Sequence, residues 1–466
     1  FVDYNRVQLS DSLEKIMPID LPATFKAGGW KVLEIDGHDY QEIWDALSLA
    51  EREKDLPIVI IGHTIMGKGV DFMEEDGLKF KAEWHGKAPK IEMAAPVLKK
   101  LELNSNEKNI ISTFHSSLNW RPLDPDFTPS LARNNLNPGT PRLYDTTTLT
   151  DCRSAYGKAL LDLAKLNPEI VAITADLSGS VMTKYVMEEL PERHFDCGIA
   201  EQHMVSMAGG LSLKELIPFV STFGAFISSR AKDQARVNDI NRTNLKMVAT
   251  HCGLSVGEDG PTHQSIDDMG SFLGLLNTMI IEPVDPNQTD HIIRYIACHY
   301  GNFYVRMGRH KFPVITKKDG RIYFDQNYQF YYGKCDLIRE GKDCTIIATG
   351  AMVSESLKAI EKFSSYDSNF SVELISASSI KKFDETLLKS VQKTKKIITV
   401  EDHNTYNGLG SQIALYLALK NIHVKLFKTI GVDHYQLSGK VEELYKAAKI
   451  DSEAISKTII SLKSYT

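Results

Sequence analysis

The sequence is poor in the features that usually settle a protein's class. Its 466 residues include only six cysteines, Cys152, Cys197, Cys252, Cys298, Cys335 and Cys344, scattered with no C-x-x-C pair. That spacing suggests neither a zinc site nor a disulfide framework, so a reducing compartment, the cytoplasm, is the simpler expectation. No apolar segment approaches membrane-spanning length, and no signal peptide opens the chain. Basic stretches interleaved with aromatics are missing too, and a formal charge of −6 argues against a nucleic-acid partner. Fixed-period repeats and low-complexity tracts are absent. There is also no initiator Met, and Phe1-Val2-Asp3-Tyr4-Asn5 reads as the end of an apolar strand, not a natural amino terminus.

What is present is α/β alternation, which predicts parallel sheets. Trp30–Ile35 and Pro57–Gly62 are strand patterns, the second β-branched enough for a central parallel strand. Between them, Tyr40–Lys54 has helical spacing, with Ile43, Leu47 and Ala50 on one face. Residues 62–90 read as one long Gly-punctuated loop, of a length usually functional or disordered. Residues 96–145 hold one short helix and a Pro/Asn-rich crossing from Trp120 to Pro141, suited to an interdomain linker. A second domain is expected over 146–316, with a helix at Ser154–Leu166 and strands at Ile170–Asp176 and Leu245–His251. A third runs over 333–466, with strands at Cys344–Gly350 and Lys396–Glu401.

The densest chemistry lies in Gly253-Leu254-Ser255-Val256-Gly257-Glu258-Asp259-Gly260-Pro261-Thr262-His263-Gln264. Three glycines and a proline force a loop at the end of a buried strand, where open α/β sheets carry their sites. His251, Glu258, Asp259 and His263 there could bind or relay protons to a polyhydroxylated substrate. Any one of them alone would read as a polar surface turn. Elsewhere, Glu201 follows Asp196-Cys197-Gly198-Ile199-Ala200 and could simply satisfy a helix dipole. Phe223 and Phe226 could be plain core aromatics, and Arg153, Ser180 and Arg306 ordinary surface residues. At the first strand exit, a carboxamide (Asn5) and a backbone carbonyl (Val7) could ligate Mg²⁺, which takes oxygen ligands.

Two strings, Gly198-Ile199-Ala200-Glu201-Gln202 and Gly257-Glu258-Asp259-Gly260-Pro261-Thr262-His263-Gln264, resemble motifs of the transketolases. The resemblance extends from residue 1 to about 460 and implies three consecutive parallel or mixed-sheet α/β domains of the thiamine-diphosphate-binding type. The first, residues 1–95, is then incomplete, matching only the later part of the diphosphate domain. The family size implies that about 150 residues of it are missing, on a domain-size argument. The resemblance also implies thiamine diphosphate and Mg²⁺ as cofactors, with Ca²⁺ as a substitute ion. Asn5 and the Val7 carbonyl match the metal ligands, but the family's metal-binding aspartate, in an earlier Gly-Asp-Gly, has no counterpart here. Glu201 matches the buried glutamate that hydrogen-bonds the aminopyrimidine ring so that the cofactor can lose its thiazolium proton. Phe223 and Phe226 match the aromatics packed against that ring. Ser229 replaces the third aromatic of some members and leaves Arg230 without a role. Asp176 stands where the family places a carboxylate near the cofactor.

For the substrate, the resemblance implies His85, in Trp84-His85-Gly86-Lys87, against the diphosphate and the first sugar hydroxyls. His251, Asp259 and His263 match residues touching donor and acceptor hydroxyls. Arg153, Ser180 and Arg306 match the phosphate grip, with Arg309 as the alternative to Arg306. The implied activity is transfer of a two-carbon ketol unit from a ketose phosphate to an aldose phosphate through a thiamine-diphosphate adduct, in the pentose phosphate pathway. The implied assembly is a homodimer with sites at the subunit interface, supported by the third domain. A 1-deoxy-D-xylulose-5-phosphate synthase-like enzyme is the alternative, disfavoured by Glu258 and the Trp-His-Gly-Lys loop. A non-catalytic fragment, or one subunit of a split transketolase whose other segment is a separate chain, is another. A split would more naturally fall near residue 145.

Overall fold

Ile217–Phe223 is buried at every residue, as a strand must be when helices cover both faces of a parallel sheet. It lies inside a six-stranded, all-parallel sheet in a computed structural model that describes residues 1–118, 135–366 and 369–463. The strands run, edge to edge, His194–Asp196, Ile170–Thr174, Ile217–Phe223, Lys246–Thr250, Asn302–Arg306 and Thr278–Ile281. The chain adds one strand, His194–Asp196, on one side of Ile170–Thr174 and then reverses to the other. The topological switch therefore lies between Ile170–Thr174 and Ile217–Phe223, and ligands of open α/β sheets bind outside the carboxyl ends there.

The chain divides into two compact units, Phe1–Leu123 and Asp124–Thr466. The larger unit also holds a five-stranded sheet, in the order Asp336–Arg339, Val372–Ser376, Cys344–Ala348, Lys396–Asn404, Leu426–Val432, parallel except for its first, edge strand. One apolar cluster joins the two sheets of this unit, with Ile281 and Val305 from one and Ile346 and Val400 from the other. The sequence separates domains that share a core.

The smaller unit has a three-stranded parallel sheet, with Ile58–His63 between Val2–Tyr4 and Lys31–Asp36. The expected central strand is therefore central. The helix between them spans Tyr40–Arg52, but its inward face is not the one expected: Ala46 is buried and Leu47 is exposed. Ile43, Ala46 and Ala50 share the turn spacing that the sheet accepts. Residues 62–90 are not one loop, because Asp71–Leu78 is helical. Its Gly77 lies against the Met66 backbone, where a Cβ would overlap the carbonyl, so this glycine serves close packing and not a loop. Two helices, Ile91–Lys100 and Ser105–Ser117, replace the single short one, and the first runs across the expected boundary at residue 95. Much of the Trp120–Pro141 crossing, residues 120–134, lies outside the described residues. Among the described residues no helix is long and apolar enough to cross a membrane.

Candidate functional site

On one side of the switch point, Asp196 ties the carboxyl end of His194–Asp196 to that of Ile170–Thr174. Its Oδ1 accepts from the Asp176 amide at 2.7 Å and from the Gly198 amide at 3.0 Å. Asp176 itself has φ +58, a conformation that non-glycine residues adopt seldom and often at functional sites. Gly198, at φ +64, turns the chain so that Glu201 becomes the first residue of the helix Glu201–Ser212. Glu201 is 3% exposed, and its Oε1 accepts from Arg230 Nη1 at 2.7 Å. Ala175, Asp176, Leu177, Ile199, Glu201, Phe226 and Arg230 line a cavity of about 220 Å³. Phe226 forms its aromatic side, and Phe223, outside the lining, stacks on Phe226 with ring centroids 5.4 Å apart. A heteroaromatic ring bearing a hydrogen-bonding nitrogen fits this donor set: one flat apolar wall and one buried carboxylate.

Along the same sheet edge, His251 stacks on Phe223 at 3.9 Å, and His263 meets the Phe226 ring edge-on at 5.2 Å. His251 also has positive φ, +59, and is 3% exposed. Burial, then the neighbouring Arg153, Arg309 and His263, pushes its pKa down to about 3. It is thus a neutral imidazole at physiological pH, with Nδ1 2.8 Å from the Thr250 hydroxyl and Nε2 3.5 Å from Arg153 Nη1. The tautomer with Nδ1–H donating to Thr250 leaves Nε2 as an acceptor facing the guanidinium.

Arg153 lies at the start of the helix Cys152–Leu166, whose N-cap is Asp151. Its Nη1 donates to the Ser180 carbonyl at 2.9 Å, so Ser180 meets it through backbone. Arg306 corrects the sequence expectation. It is 0% exposed, donates through Nε to Asp268 at 2.8 Å, pairs through Nη1 with Glu282, and reaches the Ser265 and Asp402 carbonyls through Nη2. Every guanidinium nitrogen is engaged within the core, which leaves none for a phosphate. The cation beside Arg153 and His251 is Arg309, half-buried, with Nη1 donating to the Val256 carbonyl at 2.9 Å and near Glu258 and Asp259. Asp259 is exposed at the rim.

The loop itself is held from the second sheet, a support that the sequence did not reveal. Gly253, Gly257 and Gly260 have φ of +73, +74 and +77 around a 3₁₀ turn at Leu254–Asp259. Asp402 Oδ1 accepts from the Leu254 amide at 2.8 Å, and Tyr445 donates to Asp402 Oδ2 at 2.9 Å. Ser438 donates to the Glu258 carbonyl at 2.6 Å, and Gln264 donates to the Leu437 carbonyl at 3.1 Å. The third sequence domain is therefore a buttress for the candidate substrate loop.

In the smaller unit, the Asn5 Oδ1 accepts from the Val7 amide at 2.9 Å, an Asx turn at the end of Val2–Tyr4. Asp3, Asn5, His38, Tyr40, Thr64 and Lys68 are among the residues around a cavity of about 700 Å³ beside it. The two metal-ligand candidates thus offer oxygens near a polar hollow, well short of the six that Mg²⁺ takes. His85 is exposed, while its neighbour Trp84 is anchored by donating to Asp76 Oδ2 at 2.9 Å and by an edge contact with Phe72.

Comparison with known proteins bears on this arrangement. Three family models match in order: the transketolase thiamine diphosphate binding domain over residues 1–113, the transketolase pyrimidine binding domain over 149–314, and the transketolase C-terminal domain over 333–455. The first domain model thus matches from residue 1. A putative transketolase C-terminal section from Methanocaldococcus jannaschii is 38% identical over 311 residues, 66% of this chain and 95% of that protein. Among solved structures, a split gene transketolase described as an inactive beta4 tetramer superposes with a TM-score of 0.60 at 30% identity, covering 68% of this chain and 98% of that one. The transketolase of Pichia stipitis, in complex with sedoheptulose-7-phosphate, shares the fold at a TM-score of 0.72 and 18% identity, over 99% of this chain and 71% of that one. Mouse transketolase is 30% identical over 468 residues, which takes in 99% of this chain and 70% of that protein. With all three domains matched in sequence order and a 30% identical relative aligned over 99% of this chain, the chain belongs to the transketolase family.

Proposed function

We propose that this chain is a thiamine-diphosphate transketolase that moves a two-carbon ketol unit from a ketose phosphate to an aldose phosphate, as in the pentose phosphate pathway. The observation that carries the reading is the cavity at the switch point, where buried Glu201 and Phe226, itself backed by Phe223, face one small volume. When bound, thiamine diphosphate supplies the nucleophilic carbon and the electron sink, chemistry that no side chain offers. The chain's own residues do the rest. Glu201 holds a proton at a ring nitrogen of the pyrimidine, and Phe226 packs on the ring face. Neutral His251, with His263 and Asp259, orients sugar hydroxyls, and Arg153 with Arg309 grips the distal phosphate. Asn5 and the Val7 carbonyl are assigned to Mg²⁺ and His85 to the diphosphate.

Assembly as a homodimer with sites at the subunit interface is part of the proposal. A two-fold axis makes two equivalent sites from one surface, and ligand sites form readily at such boundaries. Likeness to a split gene transketolase favours one second reading, in which this chain works with a separately encoded partner chain.

Calorimetric titration of thiamine diphosphate with Mg²⁺ tests the proposal. Binding should depend on metal, and Glu201→Gln should slow proton exchange at the thiazolium carbon by about 10²–10⁴-fold while leaving the fold intact. Binding indifferent to chelator would remove the metal from the reading, and an unchanged exchange rate would remove Glu201.

A further inference from the structure

Arg230 makes both of the contacts that a bound pyrimidine ring needs. Its Nη1 donates to Glu201 Oε1 at 2.7 Å, and its guanidinium carbon lies 4.1 Å from the centroid of the Phe226 ring. Among the described residues, no other group donates to the Glu201 carboxylate. A guanidinium is planar, with an N–H edge and a flat face that stacks on aromatics. An aminopyrimidine offers the same two surfaces. The Arg230 side chain is about half exposed, while that of Glu201 is buried, so the arginine reaches the carboxylate from the rim of the cavity. Ser229, beside it, has no ring to hold the guanidinium in place, and its own hydroxyl is turned to the Ala225 carbonyl.

We propose, resting on the functional reading above, that Arg230 is a placeholder for the cofactor. It occupies the Glu201 carboxylate and the Phe226 face until thiamine diphosphate arrives, and swings to the rim when the pyrimidine ring takes both contacts. The physical need is plain. A buried carboxylate without a partner is costly, so a pocket that must present one when empty is stabilised by a removable cation. The same device filters ligands. Only a ring that both stacks on Phe226 and hydrogen-bonds Glu201 makes up for what Arg230 loses. Binding then carries the cost of breaking one half-exposed ion pair and one cation–π contact.

Titration of thiamine diphosphate with Mg²⁺ into the wild type, R230M and R230K, with thermal melts of each in the absence and presence of the cofactor, decides the matter. R230M keeps the aliphatic bulk and loses the competing contacts. It should bind thiamine diphosphate about five-fold more tightly, melt lower without it, and gain more from saturation than the wild type does. R230K, which keeps the charge but not the plane, should fall between. Binding by the wild type together with equal or weaker binding by R230M overturns this inference alone, since Arg230 would then be idle or a permanent cofactor contact. A wild type that binds no thiamine diphosphate overturns the functional reading and this inference with it. Should R230M fail to fold, R230K carries the test: tighter binding than wild type supports the placeholder, and equal or weaker binding overturns it.

Discussion

Arg306 and Arg309 stand three residues apart and differ in everything that matters for function. Arg306 ends the strand Asn302–Arg306 on a face that the C-terminal domain covers, and its charge is spent on Asp268 and Glu282. Arg309 lies beyond the strand, near Arg153 and His251. From sequence the two were interchangeable, because nothing local says which side of the sheet edge another domain will cover. Glu201, Phe223 and Phe226 were legible for the opposite reason: short motifs carry their whole neighbourhood with them. Arg230, 29 residues from Glu201, and Asp402, 148 from Leu254, have partners that only the fold brings near. The two arginines should therefore fail differently when replaced. Arg306→Met leaves Asp268 and Glu282 buried and uncompensated, and should lower stability by about 3–5 kcal/mol whatever the substrate. Arg309→Ala should leave the melting temperature nearly unchanged and raise KM for phosphorylated sugars while sparing non-phosphorylated donors. Equal loss on both donor classes would make Arg309 a loop support through Val256 and not a phosphate ligand.

At the scale of the element, the loop Gly253–His263 is built to be inflexible, although its composition reads as a flexible turn. Gly253 has φ +73, and a Cβ added there would overlap the Asp402 carboxylate that receives the Leu254 amide. The glycine thus serves backbone conformation and close approach at once. The strands and helices leading to the site were readable from periodicity, within a residue or two at their ends: Cys152–Leu166, Ile170–Thr174 and Lys246–Thr250 lie where the pattern put them. The helix Asp71–Leu78 was not, because Gly77 mimics a loop signal while serving contact with Met66. Gly253 has φ +73 and ψ −166, a backbone conformation essentially confined to glycine, so Gly253→Ala should cost roughly 1–3 kcal/mol or more before any displacement of Asp402 is counted. Its effect should be larger on turnover than on thiamine diphosphate affinity, because the loop meets the Glu201 cavity only through the edge contact of His263 with Phe226 and supplies none of its lining. Cofactor affinity falling in step with turnover would show instead that the loop and the cofactor pocket move together.

Across the larger unit, the pyrimidine-domain sheet and the C-terminal sheet are joined by a buried set of ionisable groups, and these set how the whole responds to pH. Glu401, in the strand Lys396–Asn404, accepts from the Leu409 and Gly410 amides at 2.6 and 2.8 Å. Burial nevertheless raises its pKa to about 8. His403, two residues on, is lowered to about 4, again chiefly by burial, and faces Asp268 and Glu401. The signs oppose. A carboxyl whose folded pKa is raised contributes stability fully present below its unfolded value, about 4.3, and lost as pH climbs towards 8. A histidine whose folded pKa is depressed contributes stability present above its unfolded value, about 6.5, and lost as pH falls towards 4. Stability of this unit should therefore be broad around pH 5–6.5 and decline on both sides, with Glu401 responsible for part of the alkaline limb. Glu401→Gln keeps the shape and one acceptor oxygen but cannot ionise. Chemical denaturation at pH 5.5 and pH 8 should show the variant less stable than the wild type at pH 5.5, having lost one of two amide acceptors. The gap should narrow at pH 8, where the wild type bears the cost of ionising a buried carboxyl. A gap that stays constant between the two pH values would mean that Glu401 does not titrate in that range and that the alkaline limb originates elsewhere in the cluster.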